Sequence, residues 1–446
     1  MAARDLTSGG IVKGVALFAL PLLGTSVVQQ LYSTVDVLFV GNVLGTASMA
    51  ALGVGSLLIT LIIGLFTGLS AGLNVKVANL MGAGDVEGLR VALRTTLGLG
   101  IASGTILAVV GELFAAPFID AMDVPPESYS LSLAYLRYAV AAALPIGVYN
   151  LCAGALRGLG DSASPLIAQG IGGAGNIVAN WVALCVFSAG IEGCAQATFV
   201  SNSVAAALAA IALVRSNAYG QMGSKIPAIE AGVTRWAMAF GAPVALQTVA
   251  IVLSNVAVQH QVDLIGVDAV AAFTAYLKVE LPIYFVILAI GQTATTFVAQ
   301  NYGAGDEGRC RKGARLCQNI CLVLAAGLSL VMLAVLPQAF GLFDRSENVI
   351  AIGTAFAQIT FPFYFVYAVL EVQADVIRGY GRSLGPALIV LANICVLRVV
   401  IVYTATAQGM GMDAIAISYP ITWATTAVCL VILCLILARR ATSRIK

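Results

Sequence analysis

Seven ionisable side chains lie inside long apolar runs: Asp36, Arg137, Lys278, Glu280, Glu371, Asp375 and Arg398. A charge at mid-bilayer costs about 2.5–3.5 kcal/mol on insertion scales, so such residues are the first candidates for a functional site. Asp36 is the foremost of them. It sits in the outer half of the first run, about four turns beyond Pro21. A proline removes one ladder hydrogen bond and crowds the preceding turn, so the helix can hinge there. A buried carboxylate can take up and release a proton, and losing its charge would let the outer half of that helix repack.

The other polar residues fall into two groups. Asn176 and Asn180 lie one helical turn apart, a spacing suited to hydrogen bonding between helices. Glu371 and Asp375 are four apart and share a face, with Tyr367 a turn above. Glu371 reads equally as a functional group or as an ion-pair partner of Arg398 on the next run. Asp375 reads as a solvated or paired helix end. Glu280, just before Pro282, is an even choice between cleft and structure, and Lys278 points elsewhere. Organic cations bind well against aromatic faces plus a carboxylate. Of Tyr276, Tyr284, Phe285, Phe361, Phe363, Tyr364 and Tyr367, Tyr367 is favoured as a cavity-lining residue because it shares the Glu371 face.

These residues need a scaffold, and composition says which. Of 446 residues, 60% are hydrophobic and only 10% charged, against roughly 25% charged in soluble domains. So few charges cannot clothe a water-facing surface. The solvent is a bilayer, and only helices bonded within themselves or closed barrels cross it. Breaks at charged, Gly-rich or Pro-rich stretches leave twelve runs, at 11–43, 46–74, 91–116, 130–155, 163–187, 192–214, 234–259, 269–299, 314–336, 348–376, 384–407 and 411–437. Each is long enough to span. The expected fold is an all-α integral membrane protein with twelve transmembrane helices. The first run is too long for a signal-peptide core and reads as the first span. A net charge of +2 excludes a nucleic-acid reader. The single histidine, His260, leaves little for an enzyme to build from. Cys310, Cys317 and Cys321 share one helix face but have no completing ligand, so they read as small buried hydrophobes.

With the N-terminus inside, 19 of the 23 Lys and Arg fall at inner segments, among them Arg90, Arg157, Lys225, Arg311, Arg315, Arg382, Arg444 and Lys446. By the positive-inside rule both termini are cytoplasmic in a multi-pass cell-membrane protein. The chain also repeats at a lag of 221: Gly82-Ala83-Gly84-Asp85 returns as Gly303-Ala304-Gly305-Asp306, and Arg157-Gly158-Leu159-Gly160 as Arg378-Gly379-Tyr380-Gly381. These turns lack the lysine of a P-loop, so they read as inner turns and no ATP use follows. The repeat implies two pseudo-symmetric six-helix bundles: an N-terminal lobe at 1–214, a cytoplasmic linker at 215–232, and a C-terminal lobe at 233–446. Transporters built of such parallel halves place their site between them near the midplane. Asp36 maps onto Ala257, so the halves differ in chemistry.

Pro21, Val35-Asp36-Val37-Leu38-Phe39-Val40-Gly41, Gly82-Ala83-Gly84-Asp85, Leu156-Arg157-Gly158-Leu159-Gly160-Asp161-Ser162 and Gln300-Asn301-Tyr302-Gly303-Ala304-Gly305-Asp306, in this order over residues 11–437, resemble the multidrug and toxic compound extrusion (MATE) transporters. The resemblance implies a central cleft, alternating access and a secondary antiporter that exports amphipathic or cationic organic compounds against protons or sodium. No further cofactor is implied. The expected partners are a small organic substrate and the bilayer, not nucleic acid or ATP, and the protein is expected to act as a monomer. In archaeal-type members an Asn and an Asp four apart join the first-span Asp and a sixth-span Thr in a cation site. Asp36, Asn176 and Thr198 match that set, but Asn180 stands where the second carboxylate is expected. The set can hold sodium, or it can hydrogen-bond a protonated Asp36. A single carboxylate suffices for a proton, which favours proton coupling. Another branch carries an Asp where this chain has Tyr367, and Glu371 a turn away can substitute. The alternative is a lipid-linked saccharide flippase of the same superfamily, which would want more intramembrane cations than Arg137, Lys278 and Arg398.

Overall fold

The computed structural model describes residues 4–121, 126–216 and 228–443. Most of the 215–232 linker, with Lys225, and the terminal Arg444 and Lys446 lie outside the described residues. What is described is helical, without strands among the described residues. The spans are α1 (Ile11–Leu44), α2 (Thr46–Ala83), α3 (Val86–Ala121), α4 (Pro126–Ala141, then Ala143–Gly158), α5 (Ala163–Trp181, continued by a π-helical turn, Val182–Val186) and α6 (Gly190–Val214). In the second half they are α7 (Ala231–Asp263), α8 (Val267–Val279, then Leu281–Gly303), α9 (Glu307–Ala334), α10 (Glu347–Thr360, a 3-10 turn at Phe361–Phe363, then Tyr364–Gly379), α11 (Leu384–Val390, a π-helical stretch at Leu391–Leu397, then Arg398–Ala407) and α12 (Met412–Ser443).

Eleven of these helices are long and apolar enough to cross a membrane. The twelfth, α5, falls short because Gln169, Asn176 and Asn180 interrupt its apolar run. The helix is nonetheless there, because its polar face is buried against protein. Elsewhere large apolar side chains such as Ile106, Leu113 and Phe114 on α3 stand exposed, as bilayer-facing residues should.

The sequence repeat is a repeat of backbone turns. Gly84 (φ 67°) and Gly305 (φ 76°) end α2 and α8 in the left-handed region that glycine enters without a side-chain clash. In each case the next aspartate's N–H reaches back to the helix, Asp85 to Leu80 O at 3.1 Å and Asp306 to Asn301 O at 3.0 Å. The aspartate carboxylates then accept from the N–H of Gly88 and Arg309, both at 2.8 Å, and cap the following helix. The Arg-Gly-x-Gly turns are likewise one device used twice, with the N–H of Gly160 on Arg157 O and that of Gly381 on Arg378 O, both at 2.8 Å. At the start of α7, Glu230 accepts from the N–H of Gly232 and Val233, which holds its carboxyl below the usual range.

Two compact units result. The body of the first is Leu20–Ala245, joined by Gly303–Gly305. The second holds Leu246–Tyr302 and the chain from Asp306 onward, together with Gly10–Ala19. The chain thus passes between units inside α1, one residue before Pro21, and inside α7, two residues after Pro243. Pro243 sits one residue past the 221-residue lag from Pro21. Both helices continue through their proline.

Within the first unit, small residues let helices approach closely. A Cβ on Gly154 of α4 would meet the Ser70 backbone of α2, and one on Gly72 would meet the Ala237 backbone of α7. Phe66, Leu73, Leu93, Leu151 and Leu156 fill the core beside these contacts. Gly154→Val should destabilise the protein by about 1–3 kcal/mol of overpacking strain. This should be read as a lower thermal midpoint in detergent, whereas Gly170→Ala, where a Cβ meets open space, should leave the midpoint unchanged.

Candidate functional site

Asp36 is buried in the first unit, 9% exposed, and faces α5. The Asn180 side-chain amide donates to one of its carboxylate oxygens. The same Nδ2 also lies 3.1 Å from Asn176 Oδ1, and Asn176 in turn donates to Ser201 Oγ of α6 at 3.4 Å. The Ser201 hydroxyl donates to the Thr198 carbonyl at 3.0 Å, and the Thr198 hydroxyl to the Cys194 carbonyl at 3.1 Å. A polar chain therefore runs from α1 through α5 to α6 with Asp36 as its one charged member, and no cation pairs with Asp36 among the described residues. Asn180 Oδ1 is buried without a hydrogen-bond partner. That leaves one acceptor free beside the carboxylate.

Three of the four expected residues thus bond in sequence, Asp36 to Asn180 to Asn176, with both asparagines fully buried. Thr198 is reached only through its carbonyl, and the α6 hydroxyl that meets Asn176 is that of Ser201. Ser201 carried a weak signal as a polar residue nearly one turn after Thr198 on an apolar helix. Tyr32, a turn before Asp36, and Gln169, on the Asn176 face, line a small cavity with Ser201 and Asn202. For Gln169 the sequence signal was the polar stripe on α5.

In the second unit Glu280 stands at the break in α8, where it accepts a hydrogen bond from the Tyr364 hydroxyl of α10. The aromatics around it pack on one another: Tyr276 on Phe356 (4.5 Å between ring centres), Tyr364 on Trp423 (5.0 Å) and Tyr367 on Trp423 (5.3 Å). Tyr276, Phe361 and Tyr364 are fully buried, whereas Tyr367 is half-buried. Of the two readings of Glu371, the ion pair with Arg398 does not form. The Arg398 guanidinium donates twice to Thr422 Oγ1 of α12, at 3.2 and 3.0 Å, and lies 4.1 Å over the Tyr419 ring. The reason is reach across the bundle: α12 packs on α11 and offers the hydroxyl and the ring face. Glu371 lies instead beside Gly291 of α8, next to Asp375. Asp375 is the paired helix end, bonded to Arg378 at 2.8 Å, and Arg378 also donates to Gln247 of α7 at 2.9 Å. Arg137 pairs with Glu112 of α3 at 3.1 Å, half-exposed. Glu112 also lies within an apolar run and belongs beside the seven ionisable residues read from the sequence. The cysteines are free, and Cys310, Cys317 and Cys321 are buried as expected.

Two bundles built on one repeated backbone, each with polar groups buried inside its helices, define a two-lobed helical membrane transporter. The MatE family model matches residues 21–182 and again 243–404, the two halves of the repeat. The chain belongs to the MatE family. A probable multidrug resistance protein of Bacillus subtilis, YpnP, is 25% identical over 89% of each chain. An FAD transporter of Shewanella oneidensis is 24% identical over 88% of this chain and 87% of its own. Among solved structures, the outward-facing conformation of a multidrug resistance MATE family transporter of the MOP superfamily superposes with a TM-score of 0.91 at 20% identity, covering 98% of both chains.

The buried Asp375–Arg378 pair is held by further hydrogen bonds, so removing one partner strands a charge at a cost of about 3–5 kcal/mol. Asp375→Ala should lower the thermal midpoint more than the double change Asp375→Ala with Arg378→Met. A double variant no more stable than the single one would show that the pair carries no such burden.

Proposed function

We propose that the protein is a secondary antiporter that exports amphipathic organic compounds in exchange for an inward-moving cation, by alternating access of its lobes 1–214 and 233–446 about the 215–232 linker, with both termini cytoplasmic. The observation that carries this reading is Asp36: a carboxylate buried in the outer half of α1, touched by amides and by no cation among the described residues. A buried carboxylate with no protein cation beside it is neutralised by a cation that arrives, a proton or a metal ion.

The amide geometry suits a proton. With Asp36 ionised, Asn180 donates N–H to it. Protonation turns one carboxyl oxygen into an O–H donor, and Asn180 can then accept it, for which its unpartnered Oδ1 is at hand. A turn of the amide about its last side-chain bond exchanges the two roles. The bond that forms is the carboxyl O–H, and the bond that breaks is an O–H of the hydronium that delivers the proton and leaves as water. The charge lost at Asp36 frees the outer half of α1, and Pro21 is where that helix can flex. A sodium ion would instead take Asp36, Asn176 Oδ1 and Asn180 Oδ1 as oxygen ligands, with the Thr198 hydroxyl turned away toward Cys194. Proton coupling asks for less rearrangement. One charge crossing 100 mV supplies about 2.3 kcal/mol, enough to sustain a useful substrate gradient.

In the second lobe Glu280, Tyr367 and Glu371 are proposed to meet the substrate, a carboxylate-and-aromatic set that suits organic cations. Arg398, held by Thr422 and Tyr419, positions that aromatic wall. Lipid-linked saccharide flipping fits less well, because of the few intramembrane cations Arg137 is paired with Glu112 and Arg398 is engaged by Thr422 and Tyr419.

Reconstituted into liposomes, the protein should export a fluorescent organic cation when a proton gradient alone is imposed, and Asp36→Asn should abolish that export while expression and thermal midpoint persist. Export driven by sodium alone would replace the proton with sodium. Full export by the Asp36→Asn variant would refute the role of Asp36 altogether. Pro21→Ala should slow export several-fold with little change in substrate affinity, measured as rate against substrate concentration.

A further inference from the structure

The second unit contains a cavity of about 550 Å³ that the transport reading leaves unused. It lies at the end of the bundle where α9 begins and α10 and α12 finish, far along α10 from the Glu280–Tyr364 contact. Its walls are mostly apolar, built from Val376, Ile377 and Leu435 and interrupted by the amides of Gln318, Asn319 and Gln373, with the edge-to-face pair Tyr302 and Tyr380 (5.3 Å between ring centres) on one side. Its mouth carries Arg311, Arg315 and Arg382 against one carboxylate, Glu307. Arg311 is already bonded to Glu307 at 2.9 Å. Arg315 and Arg382 are exposed and form no ion pair among the described residues.

We propose that this cavity binds one anionic glycerophospholipid, with its phosphate on Arg315 and Arg382 and an acyl chain along Val376, Ile377 and Leu435. The charge of the mouth selects the occupant. Guanidinium groups match phosphate oxygens in geometry as well as charge, and two uncompensated positive charges repel an organic cation of the kind proposed for export. The apolar walls select it further, since a small soluble phosphate would leave them wet. Beside the cavity Leu435 and Ile436 are 57% and 44% exposed, so the apolar surface continues outward as an acyl chain lying in the bilayer would require. Within the orientation proposed above, this end faces the cytoplasmic leaflet, where anionic lipids attract juxtamembrane Arg and Lys.

The site would brace α10. Val376 and Ile377 line the cavity between Asp375 and Arg378, whose ion pair reaches Gln247 of α7 and whose backbone accepts from Thr295 of α8 at 3.0 Å. A bound lipid therefore loads the far side of the turn that ties α10 to α7 and α8.

The test uses the full chain in uncharged detergent, titrated with phosphatidylglycerol, phosphatidylcholine or glycerol 3-phosphate, with bound lipid counted by native mass spectrometry and the thermal midpoint followed. One phosphatidylglycerol should be retained and should raise the midpoint, and phosphatidylcholine should do neither. Arg315→Gln with Arg382→Gln should weaken binding about tenfold to thirtyfold, since each such arginine contributes on the order of 1 kcal/mol near an anionic headgroup. Ala314→Trp, which fills the cavity without touching its charge, should weaken it as well, and Arg90→Gln in the other unit should not. Equal retention of both lipids, unchanged binding in both cavity variants, or displacement by glycerol 3-phosphate at equal affinity would each overturn the proposal. Detergent has no sides, so failure there condemns the cavity alone. Binding in detergent together with stabilisation in liposomes only from the opposite leaflet would uphold the cavity and refute the orientation.

Discussion

A polar group in hydrocarbon must find its partner inside the protein, and this constraint organises the molecule. Asp36 is the sharpest instance. Its carboxylate is stable on α1 only because α5 supplies the Asn180 amide, and Asn180 stays in place because Asn176 and Ser201 continue the chain of hydrogen bonds to α6. The same demand makes α5 the least apolar of the spans. Its polar face is turned to protein while Ile171, Val178 and Trp181 on the other face stand exposed, so it tolerates three amides that an isolated membrane helix would not.

The two halves meet this constraint with one backbone and two chemistries. Duplicate glycine turns close α2 and α8, and duplicate Arg-Gly-x-Gly turns close α4 and α10, because both halves need the same chain reversals. The mid-span contents have diverged. The first half uses one acid among amides and hydroxyls. The second uses acids among rings, with Glu280 at a helix break where Tyr364 can reach it and Arg398 laid on Tyr419. Even Arg157 and Arg378, equivalent in the repeat, differ in setting: Arg378 has Asp375 one turn before it, and the corresponding residue of the first half is Gly154, packed on Ser70.

Charge also separates what belongs to transport from what belongs to the membrane. Inside its span Arg398 is engaged by a hydroxyl and a ring of α12. Arg315 and Arg382 stand at the end of the bundle with an apolar cavity between them. Arginines placed at a bundle end answer to lipid headgroups, whereas arginines placed in its core answer to carbonyls, carboxylates and rings.

How much of this was legible beforehand follows from what each signal depends on. Span number, the internal repeat and the family likeness are local or periodic properties of the chain. Twenty apolar residues make a span whatever surrounds them, and a left-handed turn needs its glycine wherever it occurs. Asp36 and the Asn176–Asn180 pair were visible for the same reason, as polar residues in runs that should have none. Partnership was not visible. Thr198 appeared to be the α6 contributor, and Ser201 fills that place because the rotation of α6 about its axis is set by packing. Neighbouring spans left Glu371 open to a pair with Arg398, but the Arg398 guanidinium is taken by Thr422 and Tyr419 of α12. Composition and spacing determine which side chains must be satisfied. Only the packed helices decide by which neighbour, because that depends on angles and offsets between elements far apart in the chain.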